Sequence, residues 1–350
     1  MTAPTLHFWT RRDVDAAQGW DPDEAPRRYP SGYGHTFLEL FVRMRAGGEP
    51  VSIGRRIPRG TRCVVVSLEE LSEWHRHGLP HMTLSLSRQL IIERPALAVI
   101  RNDIHPHITA PYATTLELMP TSASVTDSLR QRFLPLLPQR GFRPRSPRRP
   151  VRISTVVLKA YRENVPAWTD KVARDLAACG VTLRVDDQNR DGSHGWEDFG
   201  DADAALCTQH PDSLGDPRRK PATKLINAWA AHVVPFCEPQ VAYQEIAVAG
   251  ADSIFFDDPA DLPALVDELN DDQARLAALL AASHTRGQEL TASRVVDMWR
   301  DALADAQPTT RSRILLDVSL AWVQIVLGVR WSSAIRRRMP SRAGGRTAHR

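Results

Sequence analysis

Lys220-Pro221-Ala222-Thr223-Lys224-Leu225-Ile226-Asn227-Ala228-Trp229-Ala230-Ala231 decides the fold, read together with Gly250-Ala251-Asp252-Ser253-Ile254-Phe255-Phe256-Asp257-Asp258-Pro259-Ala260-Asp261-Leu262 further on. The first stretch is a cationic, Thr-containing loop that runs into a helix, where backbone N–H groups and two ammonium groups converge on an anion such as a diphosphate. The second is a short apolar strand, an acidic N-cap and a new helix.

Outward from this pair, strand and helix patterns keep alternating. Strands are expected over 151–158, 181–185, 204–207, 233–237 and 253–256, and helices over 165–179, 223–231 and 260–282, with Gly180 as a helix stop and an acidic, Gly-rich stretch over 186–200. The N-terminal half repeats the scheme. Residues 6–9 read as a first strand and 34–45 as a helix closed by Gly47-Gly48; 50–57, 63–68, 96–100 and 116–119 are further β-rich runs. Apolar strands separated by helices predict mostly parallel sheets covered on both faces. Between the halves, residues 135–150 gather many of the prolines with Arg140, Arg143, Arg145, Arg148 and Arg149, a composition that suits a crossover.

A chain of 350 residues is long for one core and fits two domains of ordinary size. The expected division is an N-terminal domain over 1–140, a Pro/Arg-rich linker over 141–150, a C-terminal domain over 151–305, an apolar and basic helix over 306–338, and a disordered tail over 339–350. Apolar and charged fractions of 42% and 25% are those of a folded protein. The net charge of +4 is concentrated near the linker and the C-terminus, so a dedicated nucleic-acid binder is not expected. Cys63, Cys179, Cys207 and Cys237 form no C-x-x-C pair, which predicts reduced thiols, no zinc knuckle and no disulfide framework. Residues 1–6 lack the basic and apolar regions of a signal peptide, so a cytoplasmic location is expected.

The order of these segments resembles the C-terminal nucleotide-sugar domain of GT-B glycosyltransferases. More narrowly, it resembles a bacterial glycosyltransferase-like group that carries Lys-Pro-x-Thr-Lys-Leu-x-Asn-Ala-Trp in place of the commoner acidic motif. Residues 133–145 resemble that group's interdomain "PQPGLIPR", and residues 196–205 its "WxDYSxVDAVV"; the similarity spans roughly residues 95 to 285. It implies two Rossmann-like domains facing a cleft and transfer of a sugar from a nucleotide donor to a glycan or lipid-linked acceptor. It implies neither cofactor nor metal, with the nucleotide sugar as substrate. His232, Val234, Gln209 and Gln240 depart from the residues usual there. They keep open a catalytically silent nucleotide-sugar-binding or scaffold protein.

The residue types support donor chemistry at the C-terminal domain. Lys220, Lys224 and the N–H groups near Thr223 can oppose a leaving diphosphate, whose charge grows in the transition state. By resemblance, Asn227 stands where a carboxylate commonly holds ribose hydroxyls, and Tyr243 and Glu245 where related proteins hold ribose or donor sugar. On the acceptor side, Gly34 and His35 open the first long helix, where the dipole favours an anion. Arg101, Asp103, His105 and His107 follow the strand over 96–100, so Asp103 or His105 could act as general base or position a hydroxyl. For each of these loop residues, local hydrogen bonding is the plainer alternative. His105-Pro106-His107 has no third metal ligand nearby.

Residues 314–329 are strongly apolar but interrupted by Asp317 and Gln324, and Arg330, Arg336, Arg337 and Arg338 follow. One reading is a helix lying peripherally at the inner membrane surface; the other is a closing helix packed on the N-terminal domain.

Overall fold

A computed structural model describes residues 5–14, 17, 19–22, 34–68, 70, 81–101, 110–188, 195–208 and 220–319. Two parallel sheets organise them. The first comprises β1 (Leu6–Trp9), β2 (Val51–Gly54), β3 (Cys63–Ser67), β4 (Ala96–Ile100), β5 (Leu116–Met119) and β6 (Gln131–Phe133), in the spatial order β2-β1-β3-β4-β5-β6. Helices α1 (Glu39–Ala46, entered through a π turn at Gly34–Leu38) and α2 (His81–Glu93) belong to this half.

The second sheet comprises β7 (Thr155–Tyr161), β8 (Thr182–Gln188), β9 (Ala204–Cys207), β10 (Val234–Cys237) and β11 (Ile254–Phe255), in the order β11-β10-β9-β7-β8. Its helices are α3 (Thr169–Ala178), α4 (Thr223–Ala230), α5 (Val241–Gln244), α6 (Leu262–Asp271) and α7 (Gln273–Glu289). The single helix expected over 260–282 is three pieces, because Asp258 caps a 3-10 turn at Pro259–Asp261 and Asp272 breaks the run to cap α7.

Each sheet is buried on both faces, as continuous apolar strands require. In the second, Val156 and Leu158 of β7 enter one core with Val172, Leu176 and Leu262, while Val157 enters the other with Leu225, Ile226 and Trp229. Trp229 is fully buried and its indole N–H donates to the Asp252 carbonyl at 3.0 Å, so the motif's tryptophan is a core residue. Burying such a side chain stabilises by about 3 kcal/mol.

The chain returns to the first sheet earlier than the expected boundary at 305. Helix α8 (Ala292–Ala304) packs Val295, Val296, Trp299 and Leu303 into the first core, and the Trp299 indole donates to the Pro135 carbonyl at 3.0 Å. Residues 311–319 are helical, with Ile314 buried against Trp9 and Leu68, and Asp317 accepting from the Tyr112 and Ala113 N–H groups at 2.7 Å each. The start of the tail is thus the closing helix of the packed reading; residues 320–350 lie outside the described residues. Among the described residues no helix is long and apolar enough to cross a membrane.

The arginines of the crossover fasten it to both halves. Arg140 pairs with buried Glu39 at 3.1 Å and donates to the Pro22 carbonyl. Arg145 and Arg149 meet Asp203, which also accepts from the Ser154 and Thr155 N–H groups. Burial raises the Asp203 pKa, but Arg149 and Ser154 outweigh it and hold the carboxyl below its ordinary value.

Candidate functional site

The strand order of the second sheet fixes where a ligand can sit. From β7 the chain steps out to β8, then crosses back over β7 to β9, so the switch point lies between β7 and β9 at their carboxyl ends. Connections diverge there and leave a crevice, the usual ligand position in open α/β sheets. A small pocket occupies that place, lined by Val157 and Lys159 of β7, Ala205 and Leu206 of β9, and Lys224 and Asn227 of α4, with Trp196, Phe199 and Gln139 completing it.

Local geometry puts the polar groups there. Lys159 lies two residues after Val157 on the same strand face, and Lys224 and Asn227 are three apart on one helix face. The Lys159 ammonium is already matched: it donates to Asp186 at 2.6 Å, to the Asp198 carbonyl at 2.9 Å and to the Gly195 carbonyl, and stands 4.4 Å from the centre of the Phe199 ring. Burial lowers its pKa, with Asp186 opposing.

Lys224 differs. Its ammonium donates to the Thr208 carbonyl at 2.5 Å, a neutral partner, and burial lowers its pKa from 10.5 to about 8 against the weaker pull of Cys207 and Glu238. The Thr208 hydroxyl is buried and has no hydrogen-bond partner among the described residues. Helix α4 begins after Ala222, which provides no side-chain cap, and its first helical hydrogen bond runs from Ile226 N–H to the Ala222 carbonyl. The N–H groups of Thr223, Lys224 and Leu225 therefore belong to an uncapped first turn.

The other expected residues are dispersed. Thr223 is half-buried at the start of α4, and Lys220 precedes it in the loop. Asn227 is 5% exposed, and its carbonyl oxygen accepts from the Gln139 N–H at 3.0 Å while its amide nitrogen lies 3.4 Å from the Gln139 side-chain oxygen, tying α4 to the crossover. Tyr243 is fully buried in the core beside α4. Glu245 reaches the first half: its carboxylate accepts from the Ser122 N–H at 2.9 Å and the Ala123 N–H at 2.6 Å. Arg101 is turned to Glu117 in a nearly buried pair, an internal partner where the sequence led us to expect a cleft-facing cation. Gly34 is buried at the opening of the π turn. The side chain of His35, and all of Asp103, His105 and His107, lie outside the described residues.

Sequence reasoning missed Lys159, Gln139, Thr208 and Glu70. Glu70 is fully buried after β3, accepts from the Thr10 hydroxyl at 2.5 Å, and its other oxygen has no hydrogen-bond partner among the described residues. A lysine inside an otherwise apolar strand, Val156-Val157-Leu158-Lys159-Ala160, was the signal that could have found the first of these. Among the described residues no cluster of three or more His, Cys, Asp or Glu side chains could hold a metal ion.

No family model matches the chain, and no curated protein matches it. Solved structures do. HepE of Anabaena, solved in complex with UDP, is 10% identical with a TM-score of 0.50 over 86% of this chain and 99% of that one. A sucrose-phosphate synthase from Thermosynechococcus elongatus is 11% identical with a TM-score of 0.52 over 86% and 99% of the two chains. A glycosyltransferase from Rickettsia africae is 6% identical with a TM-score of 0.51 over 87% and 99%. The chain has the two-sheet α/β fold of the GT-B glycosyltransferases. At these identities the likeness is one of fold.

Proposed function

We propose that the protein transfers a sugar from a nucleotide-sugar donor to a glycan or lipid-linked acceptor, with the donor diphosphate held by Lys224 and the uncapped start of α4. The observation that carries this reading is the Lys224 ammonium, set at the switch point of the second sheet against a neutral carbonyl. A desolvated cation with a neutral partner gains strongly from an anion, and gains most when the leaving diphosphate takes up charge. Thr223, Thr208 and Lys220 stand close in sequence or structure to add donors. The fixed ammonium group supplies the charge stabilisation that a metal ion supplies elsewhere, so the reaction is proposed to be metal-independent. Asp103, His105, His35 and Gly34 belong to the acceptor side in this reading, while Arg101, turned to Glu117, is left out of it.

UDP, the ligand in the Anabaena structure of the same fold, is the first probe. A thermal-shift panel of nucleoside diphosphates and their sugars should raise Tm for the cognate nucleotide, since a ligand of the folded state stabilises it by mass action. Lys224→Ala should weaken that nucleotide at least tenfold in titration calorimetry; unchanged affinity removes Lys224 from the site.

The engagement of Asn227 by Gln139 and of Glu245 by Ser122 and Ala123 favours a second reading, a nucleotide-sugar-binding or scaffold protein without turnover. Saturable binding with neither hydrolysis nor transfer would select it. We further propose a cytoplasmic protein peripheral to the inner membrane through its C-terminal segment. The apolar and arginine-rich sequence of 320–338, continuing from a helix fixed to the first half by Ile314 and Asp317, supports this. Liposome sedimentation of the chain with and without residues 320–350 tests it.

A further inference from the structure

Away from the pocket, α4 ends in a Schellman motif. The His232 N–H donates to the Trp229 carbonyl at 3.0 Å and the Val233 N–H to the Ala228 carbonyl at 3.1 Å, which puts His232 in the left-handed region at φ 59°. Glycine is the usual residue at that position, because a Cβ strains the left-handed backbone. A half-buried histidine stands there instead, and its ring meets His284, exposed on α7. The Nε2 of His232 and the Nδ1 of His284 are 3.1 Å apart, with ring centroids 4.3 Å apart and planes inclined at 71°.

The backbones on both sides are fixed. The Ser283 hydroxyl, one residue before His284, donates to the carbonyl of Val233, one residue after His232, at 2.9 Å. One turn along α7, Gly287 packs so closely on α4 that a Cβ there would lie 2.5 Å from the Trp229 carbonyl oxygen. The two imidazoles are therefore held next to each other by packing that neither ring provides.

We infer that His232 and His284 form a two-imidazole site for a divalent first-row transition ion, with water completing the coordination shell. Nitrogens 3.1 Å apart subtend about 100° at an ion roughly 2.05 Å from each, between tetragonal and tetrahedral angles. Imidazole suits Cu²⁺, Ni²⁺ and Zn²⁺, with Cu²⁺ bound most tightly, and the exposure of His284 leaves room for water and an entry path. An ion held there would cross-link the end of α4 to α7. A geometrical strain retained where glycine would relieve it is what a functional contact explains.

Copper(II) chloride added to the full-length protein, followed by electron paramagnetic resonance and calorimetry, tests the site. We expect a one-to-one component with hyperfine splitting from two imidazole nitrogens, weakened at least tenfold by His284→Ala and equally by His232→Gly. His232→Gly also guards against misfolding, because glycine suits the motif: its metal-free Tm should rise above that of the parent while its copper-induced shift disappears. Copper binding that is the same in the parent and both variants would assign it to the remaining histidines and overturn the proposal. Loss in only one variant would do so as well, because a paired site needs both rings.

Discussion

The two sheets share one topology and use it differently. Both step from a first strand to a neighbour and cross back, so both have a switch point beside their first strand. At that point of the first sheet, Thr10, after β1, donates to Glu70, after β3, and Arg12 lies 3.5 Å from the same carboxylate. Next to it, Arg101 is taken by Glu117. In the second sheet the same place holds a pocket with Lys159, paired with Asp186, and Lys224, whose ammonium donates to the Thr208 carbonyl. A shared architecture thus provides two switch points, and the described charges are paired differently at each.

The contrast can be broken at its supports. Asp203 ties the crossover to the second sheet with its side chain 2% exposed. Asp203→Ala should destabilise that half by about 3–5 kcal/mol, read from urea unfolding, because Arg145 and Arg149 lose a buried partner. In the first sheet His7 is 1% exposed, with Nε2 donating to the Gly54 carbonyl and Nδ1 accepting from the Ser52 hydroxyl, and burial lowers its pKa from 6.5 to about 4. The unfolded chain takes up that proton first as acid is added. His7's contribution is therefore complete above pH 6.5 and is lost towards pH 4, roughly 3 kcal/mol in all. His7→Gln should flatten this dependence in thermal melts across that range.

Lys224 sharpens the comparison in the other direction. Its folded pKa of about 8 lies below the value of 10.5 for an unhindered lysine, so deprotonation above pH 8 relieves a burial penalty and its contribution to stability improves up to about 10.5. Anion affinity runs oppositely. Nucleoside-diphosphate binding should fall up to about tenfold per pH unit above 8, a slope that Lys224→Met abolishes. The smallest effect is expected at the seam between the halves: Glu245→Ala should cost under about 1 kcal/mol of global stability, since the contact is exposed, yet speed hydrogen exchange at Ser122 and Ala123.

Much of the fold was legible in the sequence. Continuous apolar runs such as Ala96–Ile100 and Ala204–Cys207 have only one stable environment, a strand covered on both faces, and Gly180 ends α3 where expected at φ 72°. The start of α4 at Thr223 was legible too, because the apolar helical period begins there. Helix α8 was missed, and its burial of Val295, Trp299 and Leu303 shows why: a helix returning to a distant sheet leaves no mark beyond its own period. Glu245 and Asn227 read as ligand residues by resemblance; their contacts with Ser122 and Gln139 were not legible, because those partners are far away in sequence and no local pattern announces them.

By itself, then, the sequence determined the alternation of strands and helices, the two-domain scale and the cationic entry to α4, all set by residues near one another along the chain. Tertiary structure alone decided which charges are matched. Lys159 of β7 with Asp186 of β8, and Arg101 just after β4 with Glu117 of β5, are brought together from separate stretches of the chain. The free energy of a buried charge depends on what stands within a few ångströms of it, and only folding brings those groups together.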